Sequence, residues 1–340
     1  AIWRTQGLPQ DVKIEDYFQY DICSMSVDCS PRYPQEIIDR NDDWYSYRDR
    51  WGYSAKKRFG ASSSMHFFDH KTTDRSTWET TKHKWSLKAN DLARIDTASY
   101  FEHFSPYPSW EQARRLYDKQ YANGRYMHFT VYGPWEATWR HHGYEELLMN
   151  IALEPDWVRE MAETHTSLLI DILQHCLDLG MRPDGIYMID DIAETRGPLM
   201  SPNMWRAVLK PSVAKLGDFL ARNKIDFWMH CCGNAEILFN DLIECGIRVM
   251  NPLQVSTGLN VVELRKKYGN RLAYYGNISA PMMSGPLEAL EQEIKEKVVL
   301  AKEGGYLYHS DHSIPPDVDL KRYEWILDTV RKYGSPTGKE

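Results

Sequence analysis

The sequence predicts an α/β protein built on parallel strands, and three observations carry that reading. From about residue 125 onward, short apolar runs alternate with longer amphipathic stretches, the rhythm of repeated βα units. Strand candidates follow one another with a helical pattern between them, which suggests a barrel or a doubly wound sheet. The length, 340 residues, suits one large barrel as well as two domains.

In chain order, Ile22–Val27 reads as an early strand. Residues 29–80 are polar and without steady period, an elaborated loop holding a small hairpin made of Trp51–Ala55 and Ser62–Phe68, and Trp78–Trp110 reads as mostly helical. The later strands are Tyr126–Tyr132, Gly185–Ile189, Phe227–Cys232, Arg248–Pro252, Leu272–Gly276 and Tyr306–Ser310. Helical patterns cover Glu145–Asn150, Pro155–Gly180, Pro202–Asn223, Glu236–Cys245, Val261–Tyr268, Leu287–Glu303 and Leu320–Tyr333. Seven strands are visible, so an eight-stranded barrel lacks one, which either precedes Ala1 or hides in the loop region.

Composition excludes several classes of function. Lys plus Arg is 41 and Asp plus Glu 48, a net charge of −7 without any basic run, which disfavours a binder of nucleic acid. With 26% charged residues and no apolar run near the length of a bilayer span, a transmembrane helix is not expected. Cys23, Cys29, Cys176, Cys231, Cys232 and Cys245 lack the regular spacing of a disulfide scaffold, and a reducing cytoplasm is the simpler setting. The 12 Trp and 21 Tyr are many more than packing alone requires; they could line a pocket for a flat ligand, although core packing and surface clamps are the simpler reading.

Five strand ends carry polar groups. In Met229-His230-Cys231-Cys232-Gly233-Asn234, strand alternation puts His230 and Cys232 on one side and Cys231 on the other, a pair suited to zinc; a core cysteine beside a satisfied histidine is the alternative. Tyr308-His309-Ser310-Asp311-His312 ends another strand, and His312 would complete a His, Cys, His set with one position open, as in a catalytic zinc site. Otherwise these histidines merely hydrogen-bond the loop. Asp190 and Asp191 end a third strand, and at most one of them faces a pocket directly; as an acid, a base, a metal ligand or a loop clamp, either carboxylate fits. Gly133-Pro134-Trp135-Glu136 and Gly276-Asn277-Ile278-Ser279 end two more, with Glu136 able to reach the rim and Asn277 able to bond a substrate, although their Gly and Pro residues read more simply as tight turns.

Taken together, Gly133-Pro134-Trp135, Asp190-Asp191 with Gly197-Pro198 and Ser201-Pro202, His230 to Asn234, Gly276-Asn277-Ile278, and Asp311-His312 with Pro315-Pro316 form an ordered set that resembles the uroporphyrinogen decarboxylase superfamily, including its cobamide-dependent methyltransferases. The resemblance covers roughly residues 120–335 and more loosely Trp3–Leu8, Asp16-Tyr17-Phe18 with Asp21, and Arg48 to Gly52. It implies an eight-stranded (β/α) TIM barrel over residues 1–340 as a single domain, with 29–110 as elaboration and the first strand upstream of residue 1. In the zinc methyltransferases the His-x-Cys pair is joined by a later Cys, where this chain has His312. The decarboxylase's catalytic tyrosine has no clear counterpart, since Trp139 and Arg140 lie in its place.

The leading expectation is a zinc-dependent methyltransferase that moves a methyl group between a small substrate, such as a methoxylated aromatic, and the cobalt of a separate corrinoid protein. Zinc is assigned to His230, Cys232 and His312. Asp190, Asp191 and Glu136 are the candidate catalytic groups, and Trp135, Tyr132, Asn277 and His309 the candidate substrate contacts. The rivals are a metal-independent decarboxylase of a polycarboxylate and a barrel that binds a ligand without turnover.

Overall fold

Every strand that the βα rhythm predicts is present, with small shifts at the ends, in the computed structural model, which describes residues 2–59, 65–88, 90–97 and 107–335. In chain order the strands are β1 (Ile22–Val27), β2 (Glu36–Arg40), β3 (Trp44–Arg48), β4 (Ser54–Arg58), β5 (His66–Phe68), β6 (Ile95–Asp96), β7 (Tyr126–Tyr132), β8 (Gly185–Ile189), β9 (Ala193–Glu194), β10 (Gly197–Pro198), β11 (Asp226–His230), β12 (Val249–Asn251), β13 (Ala273–Tyr275) and β14 (Tyr306–Leu307). The chain forms two units by internal contact, one of residues 24–190 with 200–225 and the other of residues 1–23 with 191–199 and 226–340.

In the first of these units the main sheet has the order β8-β7-β1-β6. Strands β7 and β8 are parallel, in register from His128↔Gly185 to Tyr132↔Ile189. Met127, Phe129 and Val131 of β7 are fully buried, and on the opposite face His128 and Tyr132 are buried while Tyr126 and Thr130 are partly exposed, the extensive burial of a strand covered on both sides. Strand β6 pairs antiparallel with β1 through Ser26↔Asp96 and Val27↔Ile95. The reading of residues 78–110 as mostly helical changes with it: among the described residues of that span the helical pieces are the end of Arg75–Thr81, the short turn Lys82–Lys84 and the start of Trp110–Tyr121, while residues 89 and 98–106 lie outside the described residues. The polar segment holds more than a hairpin, because β2, β3, β4 and β5 form a four-stranded antiparallel sheet. Trp51 lies in the turn between β3 and β4, and residues 62–64 of the expected hairpin lie outside the described residues.

The helix Pro155–Asp178 packs on this unit through Trp157, Met161, Leu168, Leu169 and Ile172, spaced by the three- and four-residue steps of one helix face. Two helical expectations change. Residues 202–223 are two helices, Pro202–Val208 and Lys210–Arg222, divided at Leu209 ahead of Pro211, whose ring cannot sit inside a continuous helix. Gly133-Pro134 opens the helix Pro134–His142 instead of making only a tight turn, with Pro134 in the first turn where a missing N–H costs nothing.

In the other unit β11, β12, β13 and β14 are consecutive parallel neighbours. The pairings His230↔Asn251 and Tyr275↔Leu307 set which side chains share a face. Helices Phe239–Glu244, Val261–Tyr268, Leu287–Val298 and Leu320–Gly334 fill the connections, and β9 and β10 form a small hairpin. The amino-terminal segment is anchored here: Trp3 donates its indole N–H to the Val318 carbonyl at 2.9 Å and stacks on Tyr323. The main sheet has eight strands, of which β6 is paired antiparallel. Among the described residues no helix is long and apolar enough to cross a membrane.

Candidate functional site

Strand β11 ends at His230, and the next residues turn away from the sheet. Gly233 has φ +82°, and a Cβ there would come within 2.6 Å of the Glu194 carbonyl, so only glycine lets the β9–β10 hairpin lie against this loop. Asn234 completes the contact by donating its N–H to the Glu194 carbonyl at 2.9 Å. The hairpin segment thereby brings Asp191 to the loop, where its Oδ1 accepts the Cys232 N–H at 2.7 Å.

Three ligand-type atoms meet at this point. Cys232 Sγ is 3.4 Å from His230 Nε2, and Asp191 Oδ1 is 3.8 Å from the same nitrogen. One donor atom from each residue lies within 4.8 Å of the other two, the single such group of His, Cys, Asp or Glu among the described residues. All three side chains are partly exposed, whereas Cys231 is buried on the other side, as alternation requires. His230 is held by its other nitrogen: Nδ1–H donates to Asn251 Oδ1 at 2.6 Å, and Asn251 is oriented in turn by its Nδ2–H bond to the Tyr275 carbonyl at 2.9 Å. That arrangement fixes the tautomer with the Nε2 lone pair directed at the cluster.

The expected third ligand, His312, is not in the group. Its side chain is 47% exposed and lies beside Asp311 at 3.5 Å. Asp311 itself is buried and spends both carboxylate oxygens on backbone, accepting from Val255 and Ala280, so it locks two neighbouring loops. Asn277 is likewise a clamp and not a substrate contact: it is fully buried at φ +65°, donates both amide hydrogens to the Leu253 and Leu259 carbonyls, and accepts from Val261 N–H. His309 is partly exposed. It donates Nδ1–H to the Ser310 carbonyl, and burial pushes its pKa down, with nearby His230 acting in the same direction. Its ring meets Tyr275 edge to face at 4.6 Å, and Tyr275 meets Trp228 in the same way at 5.6 Å. Trp228 shares a strand face with His230, two residues away.

Residues 132–136 and 190 lie in the other unit, and there they serve the fold. Asp190 is fully buried and accepts the Glu136 N–H at 2.9 Å, placing a carboxylate at the start of the helix Pro134–His142 where the helix dipole favours negative charge. A Cβ at Gly133 would collide with this carboxyl group. Glu136, expected as a rim acid or base, is buried and ion-paired to Arg140 at 2.6 Å. The Arg140 guanidinium lies over the rings of Tyr132 at 3.9 Å and Trp139 at 4.3 Å. Burial opposes its charge, yet Tyr132, Glu136 and Tyr53 outweigh that and hold it firmly protonated. Trp135 is fully buried against Tyr144, and Tyr132 is buried beneath the Arg140 guanidinium.

Sequence reasoning missed Asn251, Trp228 and Tyr275. Asn251 carried a usable signal, since it sits at the end of a strand predicted next to that of His230. The two aromatics had none beyond their strand parity with His230 and Asn277.

A family model described as Uroporphyrinogen decarboxylase (URO-D) matches residues 87–333. A methylcobamide:CoM methyltransferase, MtaA, of Methanosarcina barkeri is 30% identical over 124 residues, 36% of this chain and 33% of that protein. A uroporphyrinogen decarboxylase of Vesicomyosocius okutanii is 26% identical over 76 residues, 22% of each chain. The matches thus span a third or less of the length of these curated relatives. Among solved structures, a methyltransferase from Methanosarcina mazei superposes with a TM-score of 0.62 at 17% identity, covering 91% of this chain and 78% of that one. The fold is therefore the (β/α)8 barrel of this group. Since the family match extends over most of its length, the chain belongs to the uroporphyrinogen decarboxylase (URO-D) family.

Proposed function

We propose that this protein is a methyltransferase that moves a methyl group between a small substrate and the cobalt of a corrinoid protein, with zinc held by Asp191, His230 and Cys232. The observation that carries this reading is the convergence of Asp191 Oδ1, His230 Nε2 and Cys232 Sγ on one point. An imidazole with a fixed tautomer, a thiolate and a carboxylate form a donor set that suits zinc and leaves a fourth position for substrate. Zinc in such a site supplies Lewis acidity toward an ether oxygen or a thiol.

The chain's own residues do the rest. Asn251 holds the His230 ring in orientation, and the hydrogen bond from Cys232 N–H keeps the Asp191 carboxylate beside it. Trp228, Tyr275 and His309 offer an aromatic wall on the side of the strands that carries His230, which suits a flat methoxylated ring. Burial raises the Tyr275 pKa to about 12 and lowers that of His309, so both stay neutral at neutral pH and neither repels an uncharged donor. A cytoplasmic setting accords with the six cysteines, which form no disulfide.

The test combines elemental analysis of protein purified without chelator with a methyl-transfer assay that follows the cobalt absorption change. The expected outcome is close to one zinc per chain, lost in a His230→Ala/Cys232→Ser variant together with methyl transfer. Full activity in that zinc-free variant would overturn the metal assignment.

A second reading, metal-independent decarboxylation of a polycarboxylate, is favoured by one specific feature. Arg32 and Arg50 approach Asp28 at 2.7 and 3.9 Å, with Arg94 close by. Although burial opposes it, the three guanidinium groups hold Asp28 at a pKa of about 2. Release of carbon dioxide from a porphyrinogen by zinc-free protein would establish that reading instead.

A further inference from the structure

The helix Tyr144–Leu153 buries one side of itself through Leu147 and Ile151. Helical spacing puts Tyr144, Leu148 and Ala152 on a second stripe, with Met149 and Leu153 beside it. This second side is apolar and turned to solvent: Tyr144 is 41% exposed, Met149 56% and Leu153 74%. An isolated exposed leucine needs no explanation, but an apolar side two turns long does.

Two further features say what covers it. The first is charge. Glu145 and Glu146 flank the stripe at one end, and Glu154 and Asp156 lie at the other, all exposed. Arg75 pairs with Glu154 and Arg159 with Asp156, each at 3.2 Å, which leaves Glu145 and Glu146 without an ion pair among the described residues. A second copy docking on this side about a two-fold axis would set these acids against their equals, so the rim calls for a different, basic partner. The second feature is placement. Helices Pro134–His142 and Tyr144–Leu153 are inserted between the carboxyl end of β7 and the helix Pro155–Asp178 that leads to β8. Carboxyl ends of barrel strands are where barrel enzymes meet their substrates.

We propose that the outward side of the helix Tyr144–Leu153 docks the corrinoid-carrying protein, through an apolar patch on that protein bordered by Lys or Arg. This rests on the methyl-transfer reading, because only that reaction requires a protein-borne substrate. The acidic rim steers the encounter, and Met149 and Leu153 supply the contact that excludes water.

The experiment compares two methyl donors, methylcobalamin in solution and a corrinoid protein reconstituted with methylcobalamin, on the wild-type protein and on Met149→Ser/Leu153→Ser, with the thiol of coenzyme M as the methyl acceptor: a C–S bond forms, the C–Co bond breaks to leave cobalt(I), and the thiol proton goes to buffer. Both substituted side chains are exposed, and circular dichroism verifies the fold. The expected result is a KM for the corrinoid protein raised by about tenfold or more, with kcat and turnover of methylcobalamin in solution unchanged. In Glu145→Gln/Glu146→Gln the salt dependence of kcat/KM for the corrinoid protein should flatten. Equal KM values for wild type and the Met149/Leu153 variant would overturn the docking site while leaving the methyl-transfer reading intact. Failure of the wild type with both donors would overturn the two together. A wild-type dimer split by the Met149/Leu153 substitutions would assign the surface to a second copy and reject the proposal.

Discussion

The backbone N–H of Cys232 donates to the carboxylate of Asp191 at 2.7 Å, and together with the Asn234 N–H bond to the Glu194 carbonyl this couples the β9–β10 hairpin and the residues leading into it to the loop after β11. Asp191 therefore has two functions that substitution can separate. Asn at this position keeps an oxygen for the Cys232 N–H and loses the negative charge, whereas Ala loses both. If Asp191 binds the zinc as proposed, Asp191→Ala should weaken zinc binding by more than the about 10–100-fold found for groups that only support metal ligands, with Asp191→Asn between that and wild type. Competition against a chromophoric zinc chelator measures it. Wild-type affinity in the Asn variant would show that the carboxylate positions the loop and does not bind the metal.

His312 gives the opposite expectation. Its ring is half exposed, rests against Asp311 and stands apart from the group of Asp191, His230 and Cys232. His312→Ala should leave zinc stoichiometry and affinity unchanged, while His230→Ala abolishes tight binding. A loss of zinc on removing His312 would mean that its loop rearranges to place the imidazole on the ion.

The contrast between Asp191 and His312 marks how far the sequence could be read. Strand parity was enough to put His230 and Cys232 on one side and Cys231 on the other, because a period of two is a local property. The βα rhythm likewise located β7, β8 and β11 to β14. Choosing between His312 and Asp191 depended on how two loops fold back, which is set by contacts distant in sequence, such as Gly233 against Glu194 and Asp311 against Val255 and Ala280. The antiparallel sheet of β2 to β5 was also only partly legible, since its exposed strand β2 has no buried alternation to betray it. Glu136 misled for a related reason: a carboxylate near a strand end looks catalytic until its partner Arg140, one helical turn away on an unrecognised helix, comes into view.

That buried pair makes a prediction of its own. Glu136 and Arg140 expose only 8% and 12% of their side chains, so either charge left alone is stranded in a poorly solvated place. Arg140→Met should destabilise the fold by about 3–5 kcal/mol, the usual penalty for breaking a buried pair from one side. Adding Glu136→Gln should restore part of that loss, because it removes the uncompensated carboxylate. Urea unfolding of the two single variants and the double variant measures the coupling. Additive effects would mean that water reaches the pair and shields it.

Acid should destabilise this protein before its carboxylates titrate, and the reason lies in buried histidines. Burial pushes His165 down to about 3 and His128 to about 4, and it holds His141 well below its ordinary value. Neither ring nitrogen of His165 has a hydrogen-bond partner, and the ring lies near Trp51 and Trp85. In the unfolded chain each imidazole titrates near 6.5, so the native state is the one that binds fewer protons. Stability is then undiminished above about pH 6.5 and declines as the pH falls through 6.5 toward about 4 for His128 and about 3 for His165, by at most about 1.4 kcal/mol per pH unit for each histidine. Asp28, held at about 2 by its arginines despite its burial, contributes in a lower window, from its ordinary value near 3.8 down to about 2. Between pH 6 and about 4.5 the histidines should therefore dominate. His165→Phe replaces the imidazole by a ring that cannot charge, and should flatten the dependence of unfolding free energy on pH across this window. An unaltered pH profile in that variant would show that water already reaches His165 and meets its nitrogens.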